Sequence, residues 1–202
     1  MKLAFYKLNH GEDFDPEKLE APNKTLHGGH FKTRAFYRLN HAFYEDFSRI
    51  AIIREPAKRI MSAYWDRVVR LGELAESAID MDLARALKVA PDPGRGEFIR
   101  KLPAYRLLSK SIKHHTDPFT FFLGHDMRYF TDVVKIGKLD TFAAQVEALT
   151  GREFKIPHAN GQNATPPSLT MNPAARRSLL AYCAGDYALL KGYYKIPPAL
   201  LE

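Results

Sequence analysis

The chain declares its local structure first where apolar residues cluster. Ser48–Ile53 (SRIAII) is a short apolar run that ends at charged residues, the pattern of a buried strand. Pro56 follows where a helix can begin, because the N–H that proline lacks is not needed in the first turn. Ile60, Ala63, Tyr64, Val68 and Leu71 then recur at helical spacing as an inward stripe, with Lys58, Arg59, Ser62, Asp66 and Arg70 on the other face. Between Asp80 and Phe130 the pattern gives helical pieces such as Leu83–Val89, a break at PDPGRG (91–96) and an aromatic stretch FTFF (119–122). Val133–Ile136 (VVKI) is a second strand, followed by a helix capped by Asp140 or Thr141 and closed at Gly151. GQNATPPS (161–168) has the composition of a loop. Asn172 and Pro173 open a last helix, running to about Leu190 with Gly192 beyond it. Strands alternating with helices imply an α/β layered fold with a central parallel sheet.

Composition narrows the setting. A chain of 202 residues, 46% apolar, can bury one sizeable core and is read as a single domain. Lys and Arg number 30 against 23 Asp and Glu, a net charge of +7 and a pI near 9.4. That surplus favours an anionic partner: a nucleotide, an acidic sugar, nucleic acid or a lipid surface. Cys183 is the sole cysteine, so no internal disulfide forms, which suits a reducing compartment. No apolar stretch approaches the roughly 18–20 residues of a membrane span. MKLAFYKLNHGEDF is interrupted at once by Lys7 and Asn9, so no signal core is read and the expected address is the cytoplasm. On that reading the sequons at Asn23 and Asn163 are chance matches.

The segment IAIIREPAKRIMSAYWDRV (50–68) carries the most chemistry. A strand delivers Arg54 to its C-terminal end, where α/β folds place ligands. Arg59 and Ser62, three apart, share one helix face. A guanidinium fork and a hydroxyl there make a phosphate clamp. On spacing alone a second reading stands beside it, in which Arg54 pairs with Glu55 or a neighbouring acid and Ser62 is merely solvated. His114 and His115, with His125 beyond, have no acidic or cysteine ligand at regular spacing, and no metal is expected.

The ordered run Arg54-x-Pro56-x-x-Arg59-x-x-Ser62-x-Tyr64 resembles the 3′-phosphate-binding segment of sulfotransferases that use 3′-phosphoadenosine 5′-phosphosulfate (PAPS). LHGGHF (26–31) looks like the Gly-His segment of the uronyl 2-O branch of the carbohydrate (family 2) sulfotransferases. KIGKLDTFAAQVEAL (135–149), IPHAN (156–160) and DYALLKGY (186–193) are similar to further stretches of that family in the same order. The resemblance implies a P-loop NTPase-like fold and transfer of a sulfuryl group from PAPS to a hydroxyl acceptor, a sugar or glycan. It implies that Arg54 and Ser62 bind the 3′-phosphate with Arg59 in support. It also implies that His30 is the catalytic base, as a histidine near neutrality can take a hydroxyl proton. A structural histidine in a Gly-rich turn is the alternative for His30, and His27 is its weaker competitor. His158 and Asn160 are expected to make core or loop hydrogen bonds rather than to touch the nucleotide.

One part of the family pattern is not legible. The family opens with a strand and a loop of the type P-K-x-G-[ST]-[ST], whose backbone N–H groups and lysine cradle the 5′-phosphosulfate at a helix N-terminus. Nothing before His30 has this form, and APNKTLHG (21–28) follows no strand. The domain is therefore read as N-terminally incomplete, lacking that strand and loop, and residues 1–202 are expected to bind the desulfated nucleotide weakly. The edge of Ser48–Ile53 would be unfilled, or filled by Met1–Tyr6 or a partner chain, which makes a homodimer an expectation. Two rival functions are a nucleotide-binding pseudoenzyme and a basic nucleic-acid-binding protein. The second ranks low because the basic residues are scattered among acids. Acceptor choice falls largely to residues 72–130, where no motif is readable.

Overall fold

The computed structural model describes residues 1–19, 26–31, 34–157 and 169–201. Ile50–Ile53 forms strand β1, and Asp132–Lys135 forms strand β2. The two are parallel, with Ile50 opposite Asp132 and Ile53 opposite Lys135. Parallel neighbours cannot be joined by a tight turn, and the intervening chain is mostly helical. The fold is α/β, rich in helix with a small parallel sheet; among the described residues no further strand joins it. Two compact units emerge, Met1–Ile53 with Arg128–Thr165 and Arg54–Met127 with Pro166–Glu202.

In the first unit, Met1–Tyr6 does not supply a strand, contrary to one expectation for the sheet edge. Lys2–His10 is a helix, α1. The reason is a period that a strand reading overlooks: Met1, Ala4, Phe5 and Leu8 recur at helical spacing and pack together against Phe142, Val146 and Phe154. Phe142 and Val146 belong to Leu139–Thr150, α8, whose C-terminus is closed by Gly151 at φ +64. This helix starts at Leu139, ahead of the expected caps Asp140 and Thr141, and its N-cap, Lys138, makes no capping side-chain bond.

The second unit is helical. After α2 (Pro56–Ala63) the chain continues through π-type turns at Tyr64–Arg70. Then come α3 (Met81–Ala86), α4 (Arg95–Arg100), α5 (Leu102–Leu108), α6 (Lys110–Thr116), α7 (Phe119–Leu123) and α9 (Pro173–Leu189). Ile60, Ala63, Tyr64 and Val68 are buried as the stripe requires, but Leu71 is exposed. The wider turns, with Leu71 N–H donating to Asp66 O, rotate it off the inward face. Helix α9 begins as its sequence dictates: Pro173 occupies the first turn and Asn172 Oδ1 accepts from Ala175 N at 2.9 Å. Its Leu179, Cys183 and Tyr187, four apart, enter a core shared with Ile60, Phe98, Leu102 and Tyr105.

Among the described residues no helix is long and apolar enough to cross a membrane. Cys183 is fully buried, and burial pushes its thiol up to about 12, with Asp186 adding to the effect. Iodoacetamide at about pH 8 should leave the native thiol unmodified and label it fully in denaturant, because the thiolate is the nucleophile. Native labelling at the denatured rate would mean that this core is not packed as described.

Candidate functional site

The turn leading into α2 is built around one side chain. Glu55 is the N-cap, and its carboxylate accepts from Ala57 N at 3.2 Å and Lys58 N at 2.6 Å. Pro56, next in line, has no N–H to satisfy. The first-turn donors that would otherwise form an anion site are thus filled by an internal carboxylate. Glu55 is only 9% exposed, and the Tyr187 hydroxyl of α9 also donates to it. Burial pushes the Tyr187 phenol well up, and the Glu55 carboxylate adds to that.

Arg54 immediately precedes this cap. Its guanidinium is partly buried, which lowers its pKa, while Glu55 and Tyr194 act in the opposite sense. Among the described residues it makes no hydrogen bond and no ion pair. Ser62, two turns along α2 and half-buried, likewise has a hydroxyl without a hydrogen-bond partner among the described residues. A partly desolvated guanidinium and a free hydroxyl in one short segment suit an anion with several acceptor oxygens. The alternative reading of Arg54, an ion pair with Glu55, is not what the geometry shows: Glu55 is spent on the helix and on Tyr187.

Arg59 does something else. Its guanidinium donates to Asp117 O at 2.6 Å and Asp186 Oδ2 at 3.2 Å, and lies 4.4 Å from the Phe119 ring centroid. Asp186 also accepts from Phe119 N at 2.7 Å. Burial raises the Asp186 pKa, and the Phe119 N–H and Arg59 pull it back down. Arg59 therefore ties α2 to α7 and α9, and most of its donors are committed.

His30 lies in the first unit, at the end of a π-type turn, Leu26–His30. Its ring meets Tyr6, His10 and Phe14 edge-on at 4.8, 5.5 and 5.8 Å between centroids. Its Nε2 is enclosed and has no hydrogen-bond partner among the described residues. The side chain of His27 lies outside the described residues, as do His158, Asn160, the two sequons and Pro22–Thr25. The adjoining Phe31 lines a groove of about 580 Å³ with Lys2, Arg34, Arg38, Phe43 and Tyr44. Among the described residues no three His, Cys, Asp or Glu side chains gather as metal ligands.

The model of the Sulfotransferase family matches residues 1–193, nearly the whole chain. The chain belongs to the sulfotransferase family. No curated protein and no solved structure matches it. Members of the family are enzymes that transfer a sulfuryl group to an acceptor hydroxyl, and the α/β architecture agrees with the P-loop-like fold that membership implies.

In this sulfotransferase, the sequence pattern gave no role to Asp186 or Tyr187 and offered Glu55 only as a partner for Arg54. A signal was present, since Asp186 and Tyr187 open the DYALLKGY stretch that resembles the family. What spacing could not reveal is that these two residues reach back to α2, 132 residues away in the case of Tyr187 and Glu55. Asp186→Ala would leave Arg59, 15% exposed, beside no carboxylate. Removing one partner of a buried pair should cost about 3–5 kcal/mol in urea unfolding. A loss below about 1 kcal/mol, the scale of an exposed pair, would mean that the contact is solvated and incidental.

Proposed function

We propose that this enzyme transfers a sulfuryl group from PAPS to a hydroxyl of a carbohydrate. The observation that carries the reading is the partly buried guanidinium of Arg54, with the Ser62 hydroxyl on the following helix, neither having a hydrogen-bond partner among the described residues. Arg54 would hold the 3′-phosphate through charge-assisted hydrogen bonds and Ser62 would add one more donor. Arg59, engaged with Asp186, would support them by fixing α2. When bound, the donor supplies an activated sulfuryl group. His30 would take the proton of the acceptor hydroxyl as its oxygen attacks sulfur. The groove beside Phe31 offers rings for the apolar face of a sugar and cations for any acidic group it carries.

A second reading, a nucleotide-binding relative without transfer, draws support from one observation: Nε2 of His30 is enclosed among rings. The two readings separate by kinetics. His30→Ala should lower transfer at saturating donor by roughly 10²–10⁴-fold while leaving donor affinity unchanged. A rate within a few-fold of wild type would make His30 a structural residue of the Tyr6 cluster. Arg54→Ala should weaken calorimetric binding of adenosine 3′,5′-bisphosphate at least ten-fold, since a hydrogen bond to a charged group contributes about 1.5–3 kcal/mol. Unchanged binding would remove Arg54 from the site.

A further inference from the structure

Arg54 and Glu55 carry opposite charges on adjacent residues, and the Glu55 carboxylate acts to raise the Arg54 pKa. Yet their side chains do not pair. The Glu55 carboxylate is turned onto the first turn of α2, and three donors hold it there. They are unequal. Oε2 has the short bond from Lys58 N at 2.6 Å, whereas Oε1 has a long one from Ala57 N at 3.2 Å together with the Tyr187 hydroxyl. Tyr187 is therefore the main donor to Oε1. It comes from α9, and its ring is fixed in the core beside Ala57 and Cys183.

We propose that Tyr187 is a positioning residue which keeps Arg54 open to an anion by holding Glu55 away from it. The Tyr187 hydroxyl holds Glu55 on the helix end, and so stops the carboxylate from swinging onto the neighbouring guanidinium. Without that hydroxyl, Oε1 keeps only its long bond in a nearly water-free position, where an under-satisfied carboxylate oxygen is costly. The Arg54 guanidinium, on the next residue and without a hydrogen bond among the described residues, is the donor to hand. Tyr194 is the other phenol near both charges, and the Arg54 guanidinium acts to lower its pKa while the Glu55 carboxylate acts to raise it. The resulting Arg54–Glu55 pair would have to break before a phosphate could bind. This inference rests on the assignment of Arg54 to the 3′-phosphate and adds a device that controls it.

The test is a cycle of variants titrated calorimetrically with adenosine 3′,5′-bisphosphate, each checked for wild-type circular dichroism. Tyr187→Phe keeps the ring and should weaken binding on the order of ten-fold, the scale of one hydrogen bond to a charged group. Adding Glu55→Gln should restore affinity to within about three-fold of wild type, because an amide still caps the helix but cannot form an ion pair with Arg54. Glu55→Gln alone, which leaves the core ring in place, should bind at least as tightly as wild type. A purely structural role predicts the reverse, with the double variant weaker than either single one. Wild-type affinity in Tyr187→Phe, or no recovery in the double variant, overturns the inference while the assignment of Arg54 stands. Wild-type affinity in Arg54→Ala overturns the assignment itself, and the inference falls with it.

Discussion

Glu55 and Asp186, two of the three buried carboxylates among the described residues, anchor α2, while the third, Asp117, pairs with Arg106 and Lys113. A carboxylate taken out of water without donors either neutralises or disrupts the fold, because desolvation of an ion outweighs any single packing contact. Glu55 meets this demand with two backbone N–H groups and the Tyr187 hydroxyl. Asp186 meets it with the Phe119 N–H and the Arg59 guanidinium. Each set of donors comes from more than one element, so satisfying the charges fixes where α2, α7 and α9 stand. The apolar residues of α9 supply the greater burial, but burial is tolerant of small shifts, whereas donors at hydrogen-bond distance are not.

The chemistry of the site follows from what these networks leave over. Of the three residues expected to clamp the phosphate, Arg54, Arg59 and Ser62, only Arg59 is drawn into the Asp186 network. The N-terminus of α2, a ready anion site in many α/β proteins, is closed by Glu55. An anion approaching this turn would be met by side chains instead of backbone, and a guanidinium fork can pair bidentately with the oxygens of a phosphate. That division of labour leaves one arginine structural and the other with no hydrogen bond or ion pair among the described residues.

Much of this was legible along the chain, for identifiable reasons. Ser48–Ile53 and Val133–Ile136 were readable as strands because short apolar runs bounded by charge have few alternatives, and both appear within a residue or two, as Ile50–Ile53 and Asp132–Lys135. The start of α9 was readable because Asn172 and Pro173 act locally. The first ten residues were not, since four apolar positions at helical spacing are a weak signal until Phe142, Val146 and Phe154 give them a surface. Leu71 escaped its stripe because π-type turns change the period itself. In the site, Arg54 and Ser62 stood out by spacing, while Glu55, Asp186 and Tyr187 were hidden by distance along the chain: their partners lie on other helices, and no local pattern encodes a hydrogen bond between residues 55 and 187. Arg59 looked like a third phosphate donor for the same reason, as its partner Asp186 could not be seen from its own neighbourhood.

The central claim is that Arg54 is held free for an oxyanion while Glu55 stays on the helix. A crystal structure of the protein with adenosine 3′,5′-bisphosphate bound tests it most directly. The account predicts the 3′-phosphate within hydrogen-bond distance of the Arg54 guanidinium and the Ser62 hydroxyl, with the Glu55 carboxylate still on the Ala57 and Lys58 amides and on Tyr187. A phosphate bound away from Arg54, or a bound state in which Glu55 pairs with Arg54, would contradict it.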